Sequence, residues 1–273
     1  MKMFSRITMS AVLALPVSGI AHADVLDDVL QRGSVRCAVV LDYPPIGFRT
    51  ADNKPAGFDV DYCEDLAKAL GVTAEVVEVT WPERIPALIS GKVDVAVASA
   101  SDTLERAKTV GFSIPYRVDT YQIMQHKGAG LRTYDDLKTK RVGAVIGNTQ
   151  ETNFLAYKEK VWGDGFAGTY TSFQNENEAY VALEQGQVDA IVVTAIAVHN
   201  LLESGKYPDT EAGPMTPYLP DVVSMMTIRQ EYGWLNYLNL FINQQVRTGR
   251  FDEVYKKWIG GEIPKLTIDR VYY

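Results

Sequence analysis

Short, solidly apolar runs alternate with helix-spaced apolar positions through the first third of the chain. The runs VRCAVV (35–40), AEVVEV (74–79) and VDVAVA (93–98) are the length of buried strands. Between the first two, Val60, Cys63, Ala67 and Leu70 recur on one face of a predicted helix from about Asp59 to Leu70, which Gly71 stops. Between the second and third, Pro82 opens a shorter helix carrying Ile85, Leu88 and Ile89 and ending at Gly91. Strands separated by helices predict a parallel sheet, because parallel neighbours need a crossover connection.

The same order returns later. ALISGKVDVAVAS (87–99) and ALEQGQVDAIVVT (182–194) align without gaps, and upstream of the second copy KRVGAVIGNTQ (140–150) supplies a strand leading into a helix from about Thr149. Two similar α/β lobes are therefore expected. Two extended segments, DTYQIMQHK (119–127) and DVVSMMTIRQE (221–231), bracket the second unit, and the C-terminal WLNYLNLFINQQVRTGRFDEVYKKWIG predicts two helices divided near Gly249. The chain is expected to cross to lobe 2 through the first segment and to return through the second. That assigns 24–121 and 223–273 to lobe 1 and 122–222 to lobe 2, and two crossings make a hinge.

Residues 1–23 change the picture. Lys2 and Arg6 precede an apolar stretch from about Ile7 to Ile20, and Ala21-His22-Ala23 follows, the pattern of a signal peptide cleaved after Ala23. The expected product is an exported, soluble, periplasmic monomer. Formal charge is −7 for the full chain, and losing Lys2 and Arg6 makes it about −9. An acidic surface without basic clusters argues against nucleic acid or anionic membrane as partner. Cys37 and Cys63 lie on a strand and on the helix expected to cover it. In an oxidising compartment they could pair, but two buried thiols is the reading preferred. Beyond the leader only His126 and His199 remain, neither at a strand end, and no metal-ligand spacing, nucleophile–base pair or phosphate loop is present.

Ligands of open α/β sheets bind beyond the carboxyl ends of the strands. In lobe 1 that rule selects Tyr43, Trp81, Ser99, Ser101 and Arg106; in lobe 2 it selects Asn148, Thr149, Gln150 and Thr194, the last aligned with Ser99 by the repeat. Arginine offers a planar fork of donors that matches a carboxylate, and the turn before Thr149 offers hydroxyl and amide donors at a helix start. One carboxylate gripped from both lobes is the chemistry expected, with Trp81 and Tyr43 as apolar walls.

The stretches GFDVDYCEDLAKALG, RIPALISGKVDVAVASASDTLERAKTVGFSIPY, VGAVIGNTQE, LEQGQVDAIVV and GRFDEVYKKWIG resemble the family 3 periplasmic solute-binding proteins, the polar amino-acid receptors of ABC importers. The resemblance spans nearly the whole mature chain. It implies a two-lobed Venus-flytrap fold with two mixed, mostly parallel sheets joined by a two-strand hinge, a membrane permease as partner, and neither cofactor nor catalysis. By resemblance Trp81 and Tyr43 are the ligand-facing aromatics, Ser99 and Ser101 the hydroxyl pair, Arg106 the α-carboxylate anchor and Thr149 its lobe-2 partner, flanked by Asn148 and Gln150. Thr194 departs from the pattern, since many members carry there an aspartate that accepts the α-ammonium group. Either another carboxylate, such as Asp42 or Glu151, does that work, or the ligand is an organic acid without an α-ammonium. Relatives of this fold also act as periplasmic dehydratases on cyclic carboxylic acids, for which Glu151 is the nearest candidate general acid, and a sensor role would use the same cleft.

Overall fold

The computed structural model describes residues 24–266; the expected signal peptide and its cleavage site lie outside the described residues. Among the described residues, thirteen strands form three sheets. Lobe 1 is built on β1 (Ser34–Val39), β5 (Thr73–Glu78), β6 (Val95–Ser101), β7 (Val110–Asp119) and β13 (Asp221–Ile228), in the order β5-β1-β6-β13-β7. Lobe 2 is built on β8 (Tyr121–His126), β9 (Arg141–Val145), β10 (Thr169–Phe173), β11 (Ala190–Thr194) and β12 (Thr210–Met215), in the order β10-β9-β11-β8-β12. The two orders are the same pattern: three parallel strands, then two that alternate in direction. Short strands β2 (Asp42–Tyr43), β3 (Gly47–Arg49) and β4 (Pro55–Ala56) make a small third sheet between β1 and the helix Phe58–Leu70.

The duplicated V-D step has a physical purpose in both lobes. Asp94 accepts from the backbone N–H and guanidinium of Arg36 (both 2.7 Å), and Asp189 does the same for Arg141 (2.8 and 2.6 Å). Each aspartate thereby pins the entry of the third strand to its parallel neighbour. The glycine three residues earlier is left-handed in both copies, Gly91 at φ 68° and Gly186 at φ 64°, a conformation that carries no Cβ penalty in glycine alone.

Phe58–Leu70, Arg84–Ile89, Tyr232–Arg247 and Arg250–Trp258 are the lobe-1 helices that the sequence predicts, each within two residues of its expected limits where these were given. Buried Val60, Cys63, Leu66 and Ala67 face the sheet as the helical spacing requires. The thiol reading of the cysteines is overturned: Cys37 on β1 and Cys63 on the covering helix are joined as a disulfide, with Cα atoms 6.1 Å apart. The strand–helix packing that buries both side chains also brings them within bonding reach, and the link closes a separation of 26 residues. Replacing both by alanine is expected to cost about 2–4 kcal/mol. Urea denaturation against the oxidised wild type measures it, and coincident midpoints would show that the link constrains nothing.

Candidate functional site

The chain passes between the sheets at Thr120 and again between Met215 and Asp221, and Asp119 pairs with Asp221 where the two connections run side by side. The carboxyl ends of β1, β6, β9 and β11 consequently face one another across a cleft. The cleft encloses a cavity of about 10 Å³ lined by Tyr43, Trp81, Arg84, Ser99, Ser101, Asp119, Asn148, Thr149, Gln150, Thr194 and Asp221. That is room for about one water molecule and too little for an amino acid with the lobes as they stand.

Direct pairs hold the lobes together. Ser101 Oγ meets Thr149 Oγ1 at 2.5 Å, and Tyr43 OH meets Thr194 Oγ1 at 2.5 Å. Thr194 is also the N-cap of the helix Ala195–Ser204, its Oγ1 accepting from Ala197 N. Eight of the nine residues selected from sequence thus line one cavity. Arg106 lies just behind Ser101, in an adjoining recess of about 330 Å³ shared with Trp81, Arg84 and Gly147. Its guanidinium donates to the carbonyls of Ser101 (3.1 Å) and, across the cleft, Gly147 (3.0 Å).

Sequence reasoning missed three lining residues. Arg84 is 4 % exposed and donates to the carbonyls of Trp81, Ala98, Ser99 and Gly147 at 2.8–3.0 Å, with no carboxylate partner among the described residues. Burial, reinforced by Arg106, pulls it down to about 9. Gly147 sits at φ 79°, and a Cβ there would press on the backbone of Pro82 at 3.3 Å, so the clamp needs glycine. Asp119 and Asp221 are the other two. Each opens one of the extended segments, and that first-position charge was the available signal.

Beneath the cavity floor lies a fully buried guanidinium, Arg117, bonded to both oxygens of Asp119 (2.8 Å each), to Asp59 (3.3 Å) and to Ser99 Oγ (2.9 Å). Ser99 is held at φ 49°, outside the usual range of an L-residue, with its hydroxyl bonded to Asp59 (3.0 Å). Neither carboxylate proposed to compensate for Thr194 lines the cavity. Asp42 accepts from the backbone N–H of Glu176, while Glu151 accepts from Gly147 N, Tyr170 OH and Ser172 OH.

The bond from Glu176 N–H to Asp42 crosses the cleft and brings two carboxyls near each other. Glu176 is 1 % exposed and faces Asp42, the amide of Asn148 and Tyr180; burial, then Asp42, pushes it up to about 8. A carboxyl whose folded value is raised binds more protons in the native than in the unfolded state, so stability falls as pH rises from the ordinary carboxylate range to about 8 and levels off above it. Thermal melting from pH 5 to pH 8.5 should show a smaller alkaline loss in Glu176→Gln than in wild type, by a few degrees. Parallel curves would place the charge elsewhere.

A model of the bacterial extracellular solute-binding proteins, family 3, matches residues 35–261. The L-cystine-binding protein TcyJ of Escherichia coli (strain K12) is 28 % identical over 260 residues, covering 94 % of each chain. The ABC transporter glutamine-binding protein GlnH of Bacillus subtilis (strain 168) is 31 % identical over 243 residues, covering 86 % of this chain and 85 % of its own. Among solved structures, the ancestral amino acid-binding protein AncCDT-1, a precursor of cyclohexadienyl dehydratase, superposes with a TM-score of 0.76 at 27 % identity, over 86 % of this chain and 99 % of that one.

Proposed function

Because this chain belongs to family 3 of the bacterial extracellular solute-binding proteins, we propose that it is a periplasmic receptor for a polar amino acid, handed as the closed form to the permease of an ABC importer. The observation that carries the reading is the convergence of polar groups from two separately built strand edges on one enclosed cavity. The lobes that swing are residues 24–119 with 221–266 and residues 121–215; lobe 2 and the returning strand begin one and two residues before the limits expected from sequence, because Tyr121 opens a lobe-2 strand and Asp221 a lobe-1 strand. On opening, the Ser101–Thr149 and Tyr43–Thr194 pairs separate, and their hydroxyls become available to a guest. Arg106 takes the α-carboxylate with Ser101 and Thr149, while Asn148 and Gln150 bound the lobe-2 side. Trp81 and Tyr43, edge to face at 5.5 Å, wall the apolar part. A guest stabilises closure only by the difference between its affinities for the two states. Cleavage after Ala23 would release the chain into the periplasm as a monomer, where the Cys37–Cys63 disulfide persists.

No catalysis is proposed. The candidate general acid Glu151 is engaged away from the cavity, His126 bonds the backbone of Lys127, and His199 is exposed beside Glu203. A thermal-shift screen of the amino acids tests the receptor reading, since a ligand of the native state raises the melting temperature. At least one polar amino acid should raise it by several degrees at millimolar concentration. A flat screen, or turnover of prephenate or arogenate, would replace the reading.

A further inference from the structure

Thr194 leaves the cleft without an acid at the end of β11, and the hinge supplies one instead. We infer that Asp221, the first residue of the returning hinge strand, accepts the ammonium group of the guest, so that the pocket selects a zwitterionic α-amino acid over the same carboxylic acid lacking nitrogen. The inference rests on the receptor reading above and names the charge pattern which that site requires.

Only two carboxylates line the cavity among the described residues. Asp119 is spent, with both oxygens held by Arg117. Asp221 makes no ion pair among the described residues; Ser101 Oγ donates to its Oδ2 at 2.9 Å. Burial, the leading cause, raises it to about 6, against the opposing pull of Tyr121, Ser101 and the more distant Arg117 charge. The remaining polar lining agrees. Asn148 Oδ1 is an unpartnered acceptor on a side chain 3 % exposed, and an ammonium has three N–H groups to place.

Ser101 fixes the spacing. Its hydroxyl touches Asp221 on one side and Thr149 on the other, and its carbonyl holds Arg106. Acceptor and anchor are therefore neighbours of one residue, as the ammonium and carboxylate of an α-amino acid are neighbours on one carbon. A ligand with a single negative charge would satisfy the guanidinium side and leave Asp221 buried and unmatched, a cost that discriminates strongly.

Calorimetric titration with matched pairs tests this: L-glutamine against glutaramate, L-glutamate against glutarate, and L-histidine against imidazolepropionate. Wild type is expected to prefer at least one amino acid over its deaminated twin by about 100-fold or more. In Asp221→Asn, which keeps the shape and the Ser101 bond, that preference should fall below about tenfold, through loss on the amino-acid side alone. Adding Thr194→Asp to Asp221→Asn, which returns an acid to the cleft, should restore part of the preference and guards against a variant that merely misfolds. A preference unchanged in Asp221→Asn overturns the inference, as does wild-type binding of both twins alike; the latter leaves the receptor reading intact. Silence of every compound against wild type overturns both.

Discussion

Replacing Arg117 by methionine is expected to destabilise the protein by about 3–5 kcal/mol, the cost of removing one partner from a buried charge cluster. Its guanidinium is 0 % exposed and stands between Asp59 and Asp119, themselves 1 % and 3 % exposed. Methionine fills the space but leaves Asp59 with hydroxyl donors alone, from Ser99 and Tyr116, and strips Asp119 of both its guanidinium bonds. For a chain of this size the loss corresponds to a fall in melting temperature of roughly 6–20 °C. The sign of the pH dependence follows. Burial already pushes Asp59 up to about 6, and losing the cation pushes it further. The variant then binds more protons folded than unfolded above the ordinary carboxylate range, so its deficit widens as pH rises towards neutrality. Asp59→Asn with Asp119→Asn in the Arg117→Met background should recover most of the loss. A deficit under 1 kcal/mol at pH 7.5 would mean that water or rearrangement compensates the carboxylates.

That cluster also marks where sequence reading stops. β1, β5, β6, β9 and the two C-terminal helices were legible because apolar period and capping glycines are local properties, and the repeat around Asp94 and Asp189 announced two lobes. The strand-end rule then led to a common cavity for Tyr43, Trp81, Ser99, Ser101, Asn148, Thr149, Gln150 and Thr194. Asp119 and Asp221 were visible as letters, but their role depends on antiparallel pairing between segments about a hundred residues apart. Arg84 sat inside a short helix whose apolar face drew attention from it. Its carbonyl partners at Ala98, Ser99 and Gly147 come from two lobes and have no sequence signature. The cysteines were correctly placed on touching elements, but contact between a strand and its helix is common to buried thiols and to disulfides.

Arg106→Ala should weaken amino-acid binding by about 2–5 kcal/mol, from thirtyfold to several thousandfold in dissociation constant. Its guanidinium carries three N–H groups beyond the two that reach the carbonyls of Ser101 and Gly147. Burial lowers its pKa and nearby Asp221 supports it, yet arginine stays charged at any pH the protein meets. A carboxylate entering beside Ser101 and Thr149 would exchange water for this fork, and alanine would leave that anion desolvated and unmatched. The fold itself should tolerate the change, because Arg84 continues to hold Gly147 O at 2.9 Å. Titration calorimetry should therefore show a large loss of affinity with a melting temperature lowered by only a few degrees. Arg106→Lys, which keeps the charge but loses the planar pair of donors, should fall between alanine and wild type. Unchanged affinity in Arg106→Ala would move the carboxylate to Arg84, whose fifth N–H is the other guanidinium donor left in the cleft; an equal loss of affinity and of stability would make Arg106 a clamp between the lobes and nothing more.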